Sequence, residues 1–394
     1  MTKTNNSNYP EGSRRLKELR IGNKTARIPV VQGGMGVGVS CSRLAGAVAK
    51  AGGVGIISTA QIGYDEPDFA DNHKEANKRA IEKHIRIAKA QADGGLAGAN
   101  VMVALKDYEE HVKAAARAGA DVVICGAGLP VTLPELLAGT DTKFAPIISS
   151  EKALHVLFKM WDKKYKTTSD FVIIEGPRAG GHLGFSEEQL SEDKNGNLNY
   201  DEEIRKIIAK VRMQEEKYGK QIPVIVAGGI FDAEDVAHVM CLGADGVQVA
   251  SRFVATKECD ADIRYKEAYI RAREEDVRII KSPVGMPGRA VHNHFLDKAE
   301  NGECRVKQCQ GCLAKCDPSK IPYCITDALI RAVLGDVENG LIFCGANVGK
   351  ITEISTVEEV ISDLAKGFLI QEKQLNNMES SEENSTGYKK DLTA

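Results

Sequence analysis

A histidine that follows two glycines is the residue best placed for chemistry in this chain. In Ile173-Ile174-Glu175-Gly176-Pro177-Arg178-Ala179-Gly180-Gly181-His182 an apolar run breaks into a glycine-rich loop that delivers His182. Imidazole titrates near neutral pH, so a histidine at such a loop can take or give a proton. His73, His84, His111, His155 and His238 sit on ordinary helical faces, and the pair His292 and His294 lacks a partner ligand. A second chemistry is written into the loops Ala227-Gly228-Gly229-Ile230 and Gln248-Val249-Ala250-Ser251-Arg252. Without side chains, backbone N–H groups can approach an anion closely, and a following helix adds its positive end. A tight turn would explain one such loop; two together indicate a phosphomonoester site.

The cysteines suggest a third chemistry. Five of the ten, Cys304, Cys309, Cys312, Cys316 and Cys324, crowd into one segment. In a reducing compartment such a cluster points to metal or redox chemistry rather than disulfides. Cys309, Cys312, Cys316 and Cys324 could offer four thiolates to zinc or to an iron–sulfur cluster, although the spacing matches no standard ferredoxin or zinc finger. Reduced surface thiols on a helical extension are the plainer alternative.

These residues need elements to position them. Eight short apolar runs, Ile28–Val31, Val54–Ser58, Ala99–Val103, Asp121–Cys125, Phe144–Ser149, Phe171–Glu175, Pro223–Ala227 and Gly246–Ala250, alternate with charged, helix-periodic stretches. Fully apolar strands between amphipathic helices imply a parallel sheet covered on its outer face. Eight units in about 250 residues fit an α/β TIM (β/α)8 barrel, with helical insertions and a C-terminal helical, Cys-rich extension. An open doubly wound sheet shares the strand pattern. In a barrel the active site lies at the carboxyl ends of the strands, where His182 and both glycine loops fall. The expected division is a barrel over 1–260 with lid-like insertions near 65–89 and 185–216. A helical extension over 261–370 would carry the cysteines and pack on the barrel, and 371–394 would be a disordered tail.

Composition narrows the class. The 394 residues carry a formal charge of −3 with both signs interspersed, which advertises neither nucleic acid nor a membrane surface. The polar N-terminus has no apolar signal region and no stretch approaches a membrane span, so a cytoplasmic location is expected. Further glycine-rich openings at Gly33-Gly34 and Gly126–Gly128 fit a flat ring across the barrel mouth, so the phosphate could belong to FMN or to a substrate. A Rossmann fingerprint in a proper setting is lacking.

The segments IPVVQGGMGVGVS, GANVMVAL, VVICGAGLP, IIEGPRAGGHLGF, IPVIVAGGI and GADGVQVASRFVAT occur in order across roughly 28–256. In this the chain resembles the 2-nitropropane dioxygenase-like family, which includes nitronate monooxygenases and flavin-dependent enoyl-acyl-carrier-protein reductases of type II. The later SPVGMPGRAV segment is similar as well. The resemblance implies noncovalent FMN, with Gly34 and Met35 beside the ring and Asn100 contacting the cofactor. Glu175, Gly180 and Gly181 would line the flavin cleft and His182 would face the substrate as catalytic residue. Gly228, Gly229, Ala250 and Ser251 would hold the phosphate, with Gln248 close by. Two positions depart from the family: Ala250-Ser251 replaces the usual Gly-Thr, and Arg178 stands where many relatives carry an acid.

The resemblance implies oxidation of alkyl nitronates to a carbonyl compound and nitrite. NAD(P)H-dependent reduction of an enoyl thioester or another activated alkene is the alternative, and a non-flavin, phosphate-binding barrel dehydrogenase a further one. The partner would be a small-molecule or acyl-thioester substrate, and a homodimer is compatible with the sequence.

Overall fold

The computed structural model describes residues 16–306 and 309–390, with side chains to 374. The eight apolar runs become eight parallel strands of one closed barrel. They are β1 (Val30–Gln32), β2 (Val54–Ser58), β3 (Leu96–Met102), β4 (Val122–Gly126), β5 (Lys143–Ile148), β6 (Val172–Glu175), β7 (Val224–Ala227) and β8 (Gly246–Val249). Strand β8 returns to β1 with Gln248 opposite Val31, which removes the open-sheet alternative.

Both faces of each strand are buried, which explains the unbroken apolar runs. Val31, Ile56, Ile124, Ala145, Ile173 and Ile225 fill the barrel interior. Their neighbours Val30, Ile57, Val123, Ile174, Val226 and Val247 face the helix layer. A hairpin, Leu19–Ile21 with Lys24–Ala26, closes the amino end by adding Leu19, Ile21 and Ala26 to the interior. Function is thereby left to the other end.

Two expected insertions resolve differently. The charged stretch near 65–89 is no lid: it is the outer helix Phe69–Gln91, packed between helices Ser42–Lys50 and Tyr108–Arg117. Its buried stripe includes the small residues Ala76, Ala80 and Ala88, so charge hides the period. Of the stretch near 185–216, the helix Tyr200–Tyr218 is likewise part of the outer layer, packing on Glu151–Tyr165. Only the short helix Glu187–Lys194 and its loops stand outside the barrel scheme, with Leu190 packed on Ala179, Leu183 and Phe185.

The segment after β8 is not purely helical. Val277–Lys281 and Pro287–Val291 form an antiparallel hairpin, and Gly181–His182 joins it as a third strand. The last helix, Val357–Lys390, continues past the boundary expected at 371, because Glu, Lys and Gln are good helix formers despite their polarity. It lies between Ala233–Cys241 and Ser42–Lys50, the place of the barrel's eighth helix. Residues 263–356 are therefore inserted between β8 and the helix that covers it. Among the described residues no helix is long and apolar enough to cross a membrane.

Candidate active site

The carboxyl ends of β6, β7 and β8 meet in a pocket of about 60 Å³. Gly180, Gly228, Gly229, Gln248, Ala250 and Ser251 all line it. Gly228 and Gly229 have φ of +93° and +88°, the left-handed region that favours glycine. A Cβ on Gly228 would stand 2.8 Å from the Gly176 carbonyl, and one on Gly180 would stand 2.7 Å from the backbone of Cys344. Bare backbone thus forms the wall.

The opposite wall comes from a distant part of the chain. Gly345, Ala346 and Asn347 cross the pocket from the inserted segment. Gly345 N–H donates to Ser251 Oγ at 3.0 Å, Ala346 N–H to the Arg178 carbonyl at 3.2 Å, and Asn347 Nδ2 to the Gly229 carbonyl at 2.6 Å. The Ser251 hydroxyl accepts from Gly345, so its proton stays available to an anion. Arg252 also lines the pocket, and its guanidinium is engaged by Asp363 at 2.6 Å and the Phe231 carbonyl at 3.0 Å.

Residue His182 stands beside this pocket. Its strand pairs with the hairpin, His182 opposite Gly288 and Gly181 opposite Arg289. The Phe343 ring meets the imidazole edge-on at 5.0 Å, two residues before the pocket wall at Gly345. Nε2 of His182 is 2.8 Å from the hydroxyl of Ser282, a buried residue at the hairpin turn. Burial pushes the imidazole down to about 4, so the ring is neutral near pH 7. Ser282 opens the SPVGMPGRAV segment but nothing marked it as a partner of His182, and Phe343 comes from beyond the hairpin, bridged to Ala290. The same hairpin supplies Arg289, a buried guanidinium that donates to the Ala179 carbonyl and braces the Gly180-Gly181 turn.

The remaining residues gather at the ends of β1, β3 and β6. Gly34 packs directly on Asn100: a Cβ there would lie 2.3 Å from the Asn100 Cβ. Met35 is fixed by its N–H, which donates to Ser40 Oγ at 2.8 Å. Glu175 ends β6 opposite Ala227 of β7, and burial raises its carboxyl to about 7. Gly181, with φ of +67°, has open space where a Cβ would be. Glycine walls and a free serine proton suit a small anion such as a phosphate group.

Cys309, Cys312, Cys316 and Cys324 lie elsewhere, on the loop that packs against the segment after β3. A larger hollow of about 640 Å³, lined by Lys17, Arg20, Arg212 and Asp245, lies at the amino end of the barrel and shares no lining residue with the pocket of β6, β7 and β8.

A family model described as nitronate monooxygenase matches residues 17–367. A carboxyl-CoA dehydrogenase of Mycobacterium tuberculosis acting on a hydroxy-methyl-oxo-octahydroindene is 27% identical over 274 residues, covering 70% of this chain and 66% of that relative. The chain thus spans just under two thirds of that relative's length. A probable nitronate monooxygenase of Staphylococcus saprophyticus is 24% identical over 301 residues, 69% of this chain and 78% of the relative. Among solved structures, FabK from Thermotoga maritima superposes with a TM-score of 0.65 at 26% identity, covering 90% of this chain and 96% of that one.

Proposed function

The chain belongs to the nitronate monooxygenase family of flavin-dependent oxidoreductases, and on that premise we propose that it binds FMN and oxidises alkyl nitronates to a carbonyl compound and nitrite. The observation that carries this reading is His182, held by Ser282 at 2.8 Å beside a glycine-walled pocket. When bound, FMN takes up the electrons that leave the substrate and hands them to oxygen.

The chain's own residues do the rest. Backbone of Gly228 and Gly229 and the Ser251 hydroxyl hold the phosphate end. Gly34, Met35 and Asn100 support the ring from the side of β1 and β3, while Gly181 leaves room for it. His182 presents the ring nitrogen that Ser282 does not use, and that nitrogen can bind a nitronate oxygen or take the α-proton of a nitroalkane. Anaerobic mixing of the yellow protein with a nitronate, NADH or NADPH tests the proposal. Bleaching by the nitronate supports it. Bleaching by a pyridine nucleotide alone favours the second reading, reduction of an enoyl thioester, for which the likeness to FabK and to the carboxyl-CoA dehydrogenase speaks.

The Ser282 contact makes its own prediction. Ser282→Ala is expected to lower kcat about 5- to 10-fold with FMN retained, the effect of one neutral hydrogen bond. Ser282→Thr should recover most of the rate, which a purely structural role for the side chain does not require. Full activity in the alanine variant would remove Ser282 as a positioning residue.

The pH dependence also follows from the site. With His182 held near 4, the rate on a preformed nitronate should not fall through the ordinary histidine range as pH drops from 7 to about 5. Glu175 gains its charge as pH rises through about 7, and a carboxylate at the mouth repels an anionic substrate. KM for the nitronate is therefore expected to climb above pH 7 in the native enzyme and to stay level in Glu175→Gln. An inflection that persists in the glutamine variant belongs to another group.

A further inference from the structure

Among the described residues no three His, Cys, Asp or Glu side chains converge to hold an ion, so Cys309, Cys312, Cys316 and Cys324 do not form the ligand set that their crowding suggested. The charges around the pocket of β6, β7 and β8 carry an inference instead. A phosphomonoester brings a charge of about −1.5 to −2 at neutral pH, and a cation is needed to balance it. Two guanidiniums that line the pocket are already committed, Arg178 to Asp193 at 3.3 Å and Arg252 to Asp363 at 2.6 Å. Arg289 is not. It is 6% exposed, and its side chain reaches no carboxylate among the described residues, donating instead from Nη1 to the Ala179 carbonyl. A guanidinium stays charged at any ordinary pH, and burying it without an answering anion is costly.

The Ala179 carbonyl is the step from Arg289 to the pocket. Ala179 and Gly180 both line it. In a trans peptide the C=O and N–H point in opposite directions, so the Ala179–Gly180 unit turns its carbonyl to the guanidinium and its N–H away. No described group accepts that N–H, nor the N–H of Gly228 or Gly229. A positive charge on the carbonyl polarises the peptide and strengthens its N–H as a donor. The backbone of Arg289 meets the second wall as well. Its carbonyl accepts from Cys344 N–H at 3.0 Å, and the Cys344 backbone lies 2.7 Å from where a Cβ on Gly180 would stand. A buried guanidinium without an acid is thus set against a pocket of amides without acceptors.

We propose that Arg289 is the buried counter-charge of this pocket, acting through the Ala179–Gly180 peptide to make it selective for a dianionic phosphomonoester over an uncharged analogue. The proposal rests on the reading of the pocket as the seat of FMN's phosphate. Arg289 is a positioning residue here, since its charge reaches the ligand through a peptide. Its rival is Lys350, an exposed ammonium 5.4 Å from the centroid of the Phe231 ring, which lines the pocket. Screening tells them apart, because salt weakens an exposed charge strongly and a buried one little.

Equilibrium dialysis of FMN and of riboflavin against the full chain freed of flavin tests the assignment, because the two ligands share a ring and differ in the phosphate. Arg289→Gln keeps an amide donor for Ala179 and loses the charge. It should weaken FMN roughly 30-fold and leave riboflavin unchanged. Arg289→Lys keeps the charge and should stay within about 3-fold of the native chain for FMN. Equal losses for both flavins in Arg289→Gln, or no loss for FMN, overturn the proposal. The native chain supplies an arm that needs no variant to fold. Its FMN affinity should change less than about 3-fold between about 50 and about 500 mM salt, and a steep loss would move the balance to Lys350 and overturn the assignment. Inorganic phosphate separates this proposal from the flavin reading. If phosphate raises the Tm of the native chain and not of Arg289→Gln, the counter-charge stands even where FMN fails to bind. Phosphate that stabilises both chains alike, or neither, overturns it.

Discussion

His182→Ala is expected to retain FMN and to lose about 10²-fold or more in turnover of a nitronate, close to 2.7 kcal/mol of transition-state stabilisation. The separation of the two effects follows from the geometry. The pocket proposed for the phosphate is walled by Gly180, Gly228, Gly229, Ser251 and Gly345, and His182 is not among its lining residues. The imidazole leans on Ser282 and Phe343, neither of which lines that pocket. Flavin absorbance per chain and steady-state rates measured on the same preparation test this directly. Unchanged turnover would take His182 out of catalysis. Loss of flavin together with turnover would instead make it a scaffold residue. His182→Gln refines the test, because an amide can donate a hydrogen bond to a nitronate oxygen but cannot accept its α-proton. Partial recovery on preformed nitronates, with none on neutral nitroalkanes, would assign the proton-accepting role to the imidazole.

How far this site could be read from the chain depends on which residues local patterning controls. The barrel was legible because every strand is buried on two sides, so apolar runs such as Val122–Gly126 stand out whatever surrounds them. The glycine loops were legible for a related reason: a strand that ends in Gly228-Gly229 announces a backbone that must turn close to something. The helix Phe69–Gln91 was misread as an insertion because alanines among charges carry little periodic signal. The second wall was hidden altogether. Gly345 and Asn347 reach the pocket from over ninety positions beyond Ser251, and Ser282 reaches His182 across 100 positions of sequence. Nothing local marks a serine as the partner of a distant imidazole. The route by which the chain leaves the barrel after β8 and returns as Val357–Lys390 is likewise set by packing on Ala233–Cys241, which no run of residues displays.

The hold on FMN is expected to fail most completely at a single hydrogen-to-methyl change, Gly228→Ala. The site has two independent demands on that residue. Its φ of +93° lies where side chains are strained, at a cost on the order of 1–3 kcal/mol. Its Cβ would also stand 2.8 Å from the Gly176 carbonyl and 3.0 Å from the Gly176 amide, both backbone atoms of the neighbouring loop from β6. Relief therefore has to come from moving the β7 loop, the β6 loop or both, and these are the walls between which the phosphate would sit. FMN affinity should drop by roughly 30-fold or more, about 2 kcal/mol, and the variant should emerge largely colourless. Gly219→Ala is the matching control: it shares a positive φ, +58°, but a Cβ there meets nothing within 4 Å, so it should lose stability and keep its flavin. Equilibrium dialysis of FMN against the two variants separates strain in general from damage to the pocket. Equal affinities would mean that the phosphate is held elsewhere, and the assignment of the β7 and β8 loops would go with it.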